Sequence, residues 1–268
     1  MKTMKKLFTR NTGAKLGQHL LTSAYIARDV VAAAQVTSRD TVLEIGPGKG
    51  MLTNELLEAG AYVVAVEKDS EMVAHLQTRF STQLKNKQLV LVEEDVRDYM
   101  MRNSFSAPYK VVANIPYYIT GELIRTFLTA ENQPSAISLL VQKEVADRIA
   151  RSKKESILSL SVKVFGEPRY IKTVRAGSFN PPPKVDSAIL AIDHVSRNSF
   201  TAVSEEVFFA VVRQGFSQKR KTLLGNLKKV YKKEVLEDFW TTHALEKNIR
   251  AEDVPLSVWL LLTQTIET

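Results

Sequence analysis

An alternation of short apolar runs with helical patterns constrains the fold of this chain more than any other feature of its sequence. Runs typical of buried β-strands span residues 41–45, 62–66, 89–92, 110–113 and 136–141. Residues 52–59 and 71–80 have the apolar spacing of helices. Because successive parallel strands need crossover connections, we predict an α/β fold with a mostly parallel sheet that helices cover on both faces.

The second half of the chain has a different rhythm. Residues 170–174 and 187–192 are β-like runs with no helix between them, so we predict an antiparallel pair at one edge of the sheet. Beyond about residue 193 only helical patterns remain. We therefore predict two domains: an α/β domain at residues 1–195 with a basic N-terminal arm, and a small all-helical C-terminal domain at residues 196–268.

Composition excludes several classes of protein. The 268 residues include no cysteine, which excludes disulfides and thiolate metal sites, and the four histidines are too scattered to suggest a metal site. No apolar run approaches the roughly 18 residues that a membrane span requires. We expect a cytoplasmic, monomeric protein without a metal ion or a membrane partner.

The positive charge of the chain, +8 in total, is concentrated in two segments. Residues 1–28 hold six lysines and arginines and no acidic residue, and residues 213–233 hold eight and no acidic residue. Such segments are either solvated faces or surfaces that bind phosphates. On the second interpretation we predict RNA contacts at Lys15, Lys219, Arg220 and Lys221.

A glycine-rich loop, residues 44–50 (EIGPGKG), lies where the first strand of the alternation ends. Ligands of open α/β sheets bind at this edge, and Gly46 and Gly48 allow the backbone to approach one closely. A dinucleotide-binding loop of the form G-x-G-x-x-G needs glycine at position 51, where this chain has Met51. The loop therefore does not imply a pyrophosphate.

Two carboxylates follow the next two strands. Glu67 ends the second strand, where a carboxylate can accept hydrogen bonds from both hydroxyl groups of a ribose. Asp95 follows the third strand, with Val96 beside it, and can accept from the amino group of an adenine. Taken singly, each carboxylate could equally serve a loop or cap a helix. Together with the glycine loop, they predict an adenosine bound across three successive strand ends.

The fourth strand ends in Asn114-Ile115-Pro116-Tyr117, which matches the (Asp/Asn/Ser)-Pro-Pro-aromatic signature of enzymes that methylate amino groups of nucleobases or glutamine. An adenine amino nitrogen shares its lone pair with the ring and is a poor nucleophile. The Asn114 side-chain oxygen and the Ile115 carbonyl can accept its hydrogens and stabilise the developing positive charge. Pro116 holds Ile115 extended, and Tyr117 offers a face for stacking. The plainer alternative is a proline-ended strand with a tyrosine in the core.

Phe179 is the candidate for a second aromatic wall, and it completes the predicted catalytic set. It lies in residues 178–184 (SFNPPPK), where three prolines stiffen the loop. A rigid loop that presents an aromatic ring suits the clamping of a flipped base. The alternative is a loop phenylalanine that caps the core.

Five segments carry a resemblance to a known family: residues 15–21 (KLGQHLL), 44–50, 114–118 (NIPYY), 179–188 (FNPPPKVDSA) and 216–223 (FSQKRKTL). They are similar to successive signatures of the ribosomal RNA adenine dimethyltransferases over nearly the whole chain. The resemblance implies a Rossmann-like methyltransferase sheet and S-adenosylmethionine as the cofactor. It also implies dimethylation of two adjacent adenosines in the 3′-terminal hairpin of small-subunit ribosomal RNA, within the immature subunit.

The same resemblance places the cofactor contacts. By motif they fall on His19, Leu21, Gly46, Glu67, Asp95 and Asn114, and we add Gln18, Glu44, Gly48 and Val96. Many family members have asparagine at position 19, so the motif supports the location of His19 more strongly than a role for its side chain.

Two alternatives to a small-subunit enzyme remain. The erythromycin-resistance methylases share the catalytic domain but modify large-subunit RNA, and residues 114–117 do not separate the two families. Residues 182–187 and 216–223 resemble the small-subunit enzymes instead. The other alternative is an RNA-binding assembly factor without catalysis, which would not need the intact Asn114, Pro116 and Tyr117.

Overall fold

The computed structural model describes residues 19–102, 105 and 108–268. The strands are β1 (Leu20–Leu21), β2 (Thr41–Ile45), β3 (Tyr62–Glu67), β4 (Leu89–Glu93), β5 (Tyr109–Asn114), β6 (Ala136–Gln142), β7 (Glu167–Val174), β8 (Phe179–Asn180) and β9 (Ser187–Asp193). The α-helices are α1 (Ala24–Ala33), α2 (Met51–Glu58), α3 (Ser70–Arg79), α4 (Ser81–Lys85), α5 (Val96–Arg102), α6 (Thr120–Thr129), α7 (Lys143–Ala150), α8 (Ile157–Lys163), α9 (Glu205–Gly215), α10 (Leu223–Leu227), α11 (Lys233–Thr242) and α12 (Leu256–Glu267).

Seven of the strands form one sheet in the order β4-β3-β2-β5-β6-β9-β7. The first five are parallel, β9 is antiparallel to β6, and β7 is antiparallel to β9 at the edge. The predicted Rossmann-like sheet with an antiparallel edge pair is therefore confirmed. A second ladder was not predicted: β1 pairs with β8, with Leu20 opposite Asn180 and Leu21 opposite Phe179.

The register of the parallel strands brings their carboxyl ends to one edge. Ile45 lies opposite both Val66 and Ala113, so β2, β3 and β5 end side by side. Glu67 is the last residue of β3 and Asn114 the last of β5, one residue beyond the predicted strand in each case. The glycine loop and both of these polar side chains consequently share one edge of the sheet.

Two hydrophobic clusters lie on the two faces of the sheet. Leu43, Val64 and Val111 belong to one cluster, and the apolar residues next to them along the strands belong to the other, because successive strand residues point to opposite faces. The first cluster continues into the C-terminal helices through Phe208 and Trp259, both fully buried. The last strand ends at Asp193 and only helical elements follow. The division at residues 195 and 196 stays a prediction, since one cluster spans it.

Helices of the described residues are too short or too polar to cross a membrane. In the same part of the chain, no group of three or more histidine, aspartate or glutamate side chains could hold a metal ion. The absence of a metal from the working protein stays an expectation from the sequence.

Candidate active site

The glycine loop after β2 adopts a conformation that side chains disfavour. Gly46, Gly48 and Gly50 have φ angles of +62°, +56° and +80°, in the left-handed region where glycine is not strained. A Cβ on Gly48 would lie 2.7 Å from the Leu20 side chain, whereas a Cβ on Gly46 would have only the Asn114 carbonyl oxygen, 4.0 Å away, as a close neighbour. Gly46 therefore borders open space beside the end of β5.

Glu67 is held by three backbone amides. Its Oε1 accepts from the amides of Lys68 at 2.8 Å and Asp69 at 2.9 Å, and its Oε2 accepts from the Gly48 amide at 3.1 Å. Burial nevertheless raises the pKa of the Glu67 carboxyl, and these hydrogen bonds oppose that shift. A carboxylate has about four acceptor positions, so Oε2 can still accept one further hydrogen bond.

Asp95 is surrounded by two cations that the sequence analysis did not identify. Its Oδ1 accepts from the Arg97 amide and from Arg97 Nε, each at 3.0 Å, and its Oδ2 accepts from an Arg97 Nη at 2.8 Å and from Lys68 Nζ at 3.0 Å. The Arg97 guanidinium holds the pKa of Asp95 well below its ordinary range. Because all of its acceptor positions are filled, a ligand amino group must displace one of these contacts.

Two adjoining cavities lie along the carboxyl edge of the sheet. The first cavity is lined by His19, Leu20, Gly46, Gly48, Glu67, Asn114, Ile115, Pro116 and Tyr117. The second cavity is lined by Ile45, Gly46, Val66, Glu67, Lys68, Glu94, Asp95, Val96, Arg97, Pro116, Tyr118 and Ile119. They share Gly46, Glu67 and Pro116. The structure thus brings together most of the predicted cofactor residues and four of the five predicted catalytic residues.

Asn114 is oriented by the N-terminal segment of the described chain. Its Nδ2 donates to the His19 carbonyl oxygen at 2.8 Å. Because that carbonyl can only accept, the contact fixes which end of the amide is the nitrogen, and Oδ1 is left to accept in the first cavity. His19 is held in turn, since its Nδ1 lies 2.7 Å from the Pro181 carbonyl oxygen. Leu20, which the sequence did not single out as a site residue, also lines the first cavity.

Tyr117 lies beside Asn114 in a short 3₁₀ turn, Tyr117–Ile119. Its ring is half-buried and lines the first cavity, with the His19 ring tilted against it at 5.7 Å between centroids. The Tyr117 hydroxyl lies 2.5 Å from Oγ of Ser187, and burial raises the pKa of the phenol. Tyr117 therefore borders the cavity and is not a core tyrosine.

Three predicted site residues lie away from the cavities. Phe179 is 3% exposed and packs in the second hydrophobic cluster, so a role as an aromatic wall requires its ring to rotate out and stays a prediction. Leu21 packs in the same cluster. Glu44 is fully buried on the α2 side of β2, and burial raises its pKa to about 8. Lys15 and Gln18 lie outside the described residues.

The predicted RNA-binding residues Lys219, Arg220 and Lys221 are exposed in the turn between α9 and α10. None of them forms an ion pair with a residue that the structure describes, although Lys219 lies close enough to Glu252 to help lower the pKa of that carboxyl. By contrast, Lys228 in the same basic segment pairs with Glu237 at 2.7 Å. The three side chains can therefore contact a polyanion, as the predicted RNA-binding role requires.

The sheet order, the glycine loop and the two carboxylate-bearing strand ends define a Rossmann-like methyltransferase. Residues 9–268 match the model of the ribosomal RNA adenine dimethylase family. The chain belongs to this family and is an enzyme of it.

Two similar proteins come from Dehalococcoides mccartyi and Fusobacterium nucleatum. The chain is 37% identical to the ribosomal RNA small subunit methyltransferase A of Dehalococcoides mccartyi, over 97% of this chain and 90% of the relative. It is 34% identical to the protein of that name from Fusobacterium nucleatum, over 94% of this chain and 97% of the relative.

Two solved structures share the fold over most of their length. A dimethyladenosine transferase from Plasmodium falciparum is 28% identical with a TM-score of 0.76, and the match covers 91% of this chain and 96% of that one. The 23S rRNA methyltransferase ErmE also has a TM-score of 0.76, at 22% identity, with coverage of 93% and 100%. At that identity the likeness to ErmE concerns the fold alone.

Proposed function

We propose that the chain uses S-adenosylmethionine to dimethylate the amino groups of two adjacent adenosines in the 3′-terminal hairpin of small-subunit ribosomal RNA, during ribosome biogenesis. The observation that carries the proposal is the juxtaposition, at one edge of the sheet, of an oriented Asn114 and a buried Glu67 across Gly46. The bacterial relatives named as small-subunit methyltransferases support the choice of RNA. We place this activity in the cytoplasm, in a monomer.

The residues around the two cavities fit the proposed cofactor. Oε2 of Glu67 keeps one acceptor position for a ribose hydroxyl, and Gly46 leaves open the space that a Cβ would enter. Asp95 and Val96 border the second cavity, where an adenine amino group would exchange with one of the cations on Asp95. When bound, S-adenosylmethionine supplies an electrophilic methyl group.

The acceptors at the end of β5 would activate the target. Oδ1 of Asn114 and the carbonyl oxygen of Ile115 accept the hydrogens that the adenine amino group carries, two before the first transfer and one before the second, which weakens conjugation of its lone pair with the ring. Both acceptors are preorganised, because Nδ2 of Asn114 is held by His19 and Pro116 fixes the chain after Ile115. They also stabilise the positive charge on the methylated nitrogen, whose proton then passes to water. Tyr117 supplies the stacking face.

Affinity for the ribosomal particle would come from the basic surface, with Lys219, Arg220 and Lys221 on the described chain and Lys15 in the N-terminal arm. Phosphate contacts position the RNA and do not select the adenosines. Contacts other than those of this basic surface must therefore select small-subunit over large-subunit RNA.

One assay tests the proposal. Labelled S-adenosylmethionine is offered with immature small subunits, with large-subunit RNA, and with neither, and the labelled nucleoside is then identified. We expect label only in the first mixture, as dimethyladenosine at two adjacent positions. Label in the large-subunit RNA would show a resistance-type methylase, and the absence of label in every mixture would favour a non-catalytic assembly factor.

A further inference from the structure

The Tyr117 side chain has one hydrogen bond to the rest of the fold among the contacts of the described residues. The 3₁₀ turn that carries it is three residues long and has no side-chain cap. The hydroxyl lies 2.5 Å from Oγ of Ser187, a residue 70 positions away in sequence. Without this contact, the orientation of the ring would depend on packing against His19 and on the walls of a cavity that must open to a substrate.

Ser187 is a rigid anchor for that hydroxyl. It is the first residue of β9, is fully buried, and lies opposite Gln142 of β6 and Val174 of β7. A residue between two paired strands has little freedom to move. The preceding Asp186 strengthens the anchor, because its carbonyl oxygen accepts from the Lys143 amide at 3.0 Å.

Asp186 also connects this strand start to the loop that leads to Phe179. Its Oδ1 accepts from the Ala176 amide at 3.0 Å, and Ala176 begins the 3₁₀ turn immediately before Phe179. Two consecutive residues at the start of β9 thus hold the turn that carries Tyr117 and the loop that carries Phe179. The start of β9 therefore contacts both segments that carry the predicted aromatic residues of the site.

We propose that Ser187 is a positioning residue for methyl transfer, which holds the Tyr117 ring at the angle at which the target adenine stacks beside Asn114. The proposal rests on the proposed function, since it assumes that Tyr117 receives the base. Ser187 itself touches no reacting atom in this scheme. Transfer reactions are sensitive to displacements of about 1 Å at the reacting centre, so a loosened ring should slow the chemical step.

A double-mutant cycle in turnover tests the coupling between the two hydroxyls. Loss of one such hydrogen bond should lower kcat by about tenfold in Ser187→Ala, and by a similar factor in Tyr117→Phe, with little change in cofactor affinity by calorimetry. Because both substitutions remove the same contact, the double variant should be no slower than the slower single one. Multiplication of the two effects would overturn the proposal.

Ser138→Ala is the matched control. Ser138 is also a fully buried serine on a central strand, and its Oγ donates to the Val30 carbonyl oxygen at 2.7 Å, away from both cavities. It should lower the melting temperature as Ser187→Ala does and leave kcat unchanged. If both serine variants lower kcat equally, or if Ser187→Ala lowers only stability, Ser187 is a structural residue.

A spectroscopic measurement separates this inference from the proposed function. In protein labelled with ¹³C at the tyrosine Cζ, the Tyr117 resonance is assigned by its loss in Tyr117→Phe. Ser187→Ala should shift that resonance, and Ser138→Ala should not. If the wild-type chain does not methylate RNA, the proposed function is rejected, and the resonance still reports the hydrogen bond between Tyr117 and Ser187. If the resonance does not move in Ser187→Ala, that hydrogen bond is rejected even in an active enzyme.

Discussion

At the scale of single residues, the site depends on acceptors that the fold orients before a substrate arrives. Asn114 receives its orientation from the backbone of His19, and Glu67 receives three amides from the glycine loop and the start of α3. Groups held in this way need little reorganisation when charge develops near them. Replacement of Asn114 should lower the rate of methyl transfer, whereas replacement of Glu67 should weaken cofactor binding.

Asn114→Ala should keep the fold and lose most of the methyl transfer. One oriented acceptor in a preorganised site contributes roughly 2.7 to 4 kcal/mol, which corresponds to a fall in kcat of about 10²- to 10³-fold. Single-turnover assays with immature small subunits measure this fall. Asn86→Ala, in the exposed turn before β4, is the control and should turn over normally. Near-normal turnover of Asn114→Ala would exclude the assigned mechanism.

Glu67→Gln should weaken cofactor binding and leave the chemical step of saturated enzyme less affected. The amide keeps the shape of the side chain but has one oxygen where the carboxylate has two, and its nitrogen faces amide donors of the loop. Calorimetric titration with S-adenosylmethionine measures the affinity, and we expect a loss of about tenfold or more. Unchanged affinity would remove Glu67 from the ribose contact.

The residues of the site differ in whether the sequence could predict them. Glu67 and Asn114 end strands whose apolar runs are visible in the sequence, so their meeting at one sheet edge was predictable. Ser187 and Leu20 were not predictable as site residues, because long-range contacts bring them there: Leu20 pairs with Asn180 across 160 positions. Arg97 was missed for another reason, since an exposed arginine in an amphipathic segment has no distinguishing pattern.

At the scale of elements, the contact between β2 and α2 buries an unusual group. Glu44 of β2 is fully buried, its carboxyl oxygens have no hydrogen-bond partner among the described residues within ordinary bonding geometry, and Thr53 of α2 lies beside it. Burial raises the pKa of Glu44 to about 8, and the nearby Glu67 adds to the shift. The carboxyl is therefore mostly neutral inside the folded chain at neutral pH.

This burial predicts a pH-dependent effect of Glu44→Gln. The unfolded chain releases the Glu44 proton near pH 4.5 and the folded chain near pH 8, so the stability of the wild type falls as pH rises between these values. Glutamine has no proton to lose there, and the melting temperature of the variant relative to wild type should increase from pH 5 to pH 8. Thr82→Ala, an exposed substitution on α4 that changes no titratable group, should show no such trend. A pH-independent difference for Glu44→Gln would contradict the raised pKa.

The packing of α9 against α12 provides a second test at this scale. A Cβ on Gly215, at the end of α9, would lie 2.4 Å from the ring of the buried Trp259 and 2.7 Å from Leu223. Gly215→Ala should therefore destabilise the chain by about 1 to 3 kcal/mol, measured by denaturant unfolding. Gly121→Ala is the control, because a Cβ there has no neighbour within 4 Å and alanine favours the helix. Equal effects of the two substitutions would contradict the packing described.

At the scale of the whole molecule, the charges and the reacting groups occupy different regions. Asn114 and Glu67 end strands of the sheet, whereas Lys219, Arg220 and Lys221 are exposed in the helical region. Binding of a ribosomal particle and binding of the cofactor should for this reason respond to different substitutions. The distribution of basic residues along the sequence predicts phosphate contacts in this region, but it could not establish which basic residues are free of ion pairs with described residues, because pairs such as Lys228 with Glu237 depend on the fold.

Replacement of Lys219, Arg220 and Lys221 by glutamine should weaken binding to immature small subunits and reduce its dependence on salt. Each cation that neutralises a phosphate releases a counterion, so the loss of three contacts should lower the salt slope by about two to three.

The matched control replaces Arg39, Lys85 and Lys87, which are exposed before β2 and β4, at the end of the sheet opposite the cavities. Both triple variants lose the same net charge, so long-range attraction falls equally and only a direct contact separates them. Binding measured at several salt concentrations, together with thermal melts and cofactor titrations, decides the matter. An unchanged slope with a lower melting temperature would make the turn structural, because lysine and arginine stems often pack, and the RNA surface would then have to include the N-terminal lysines.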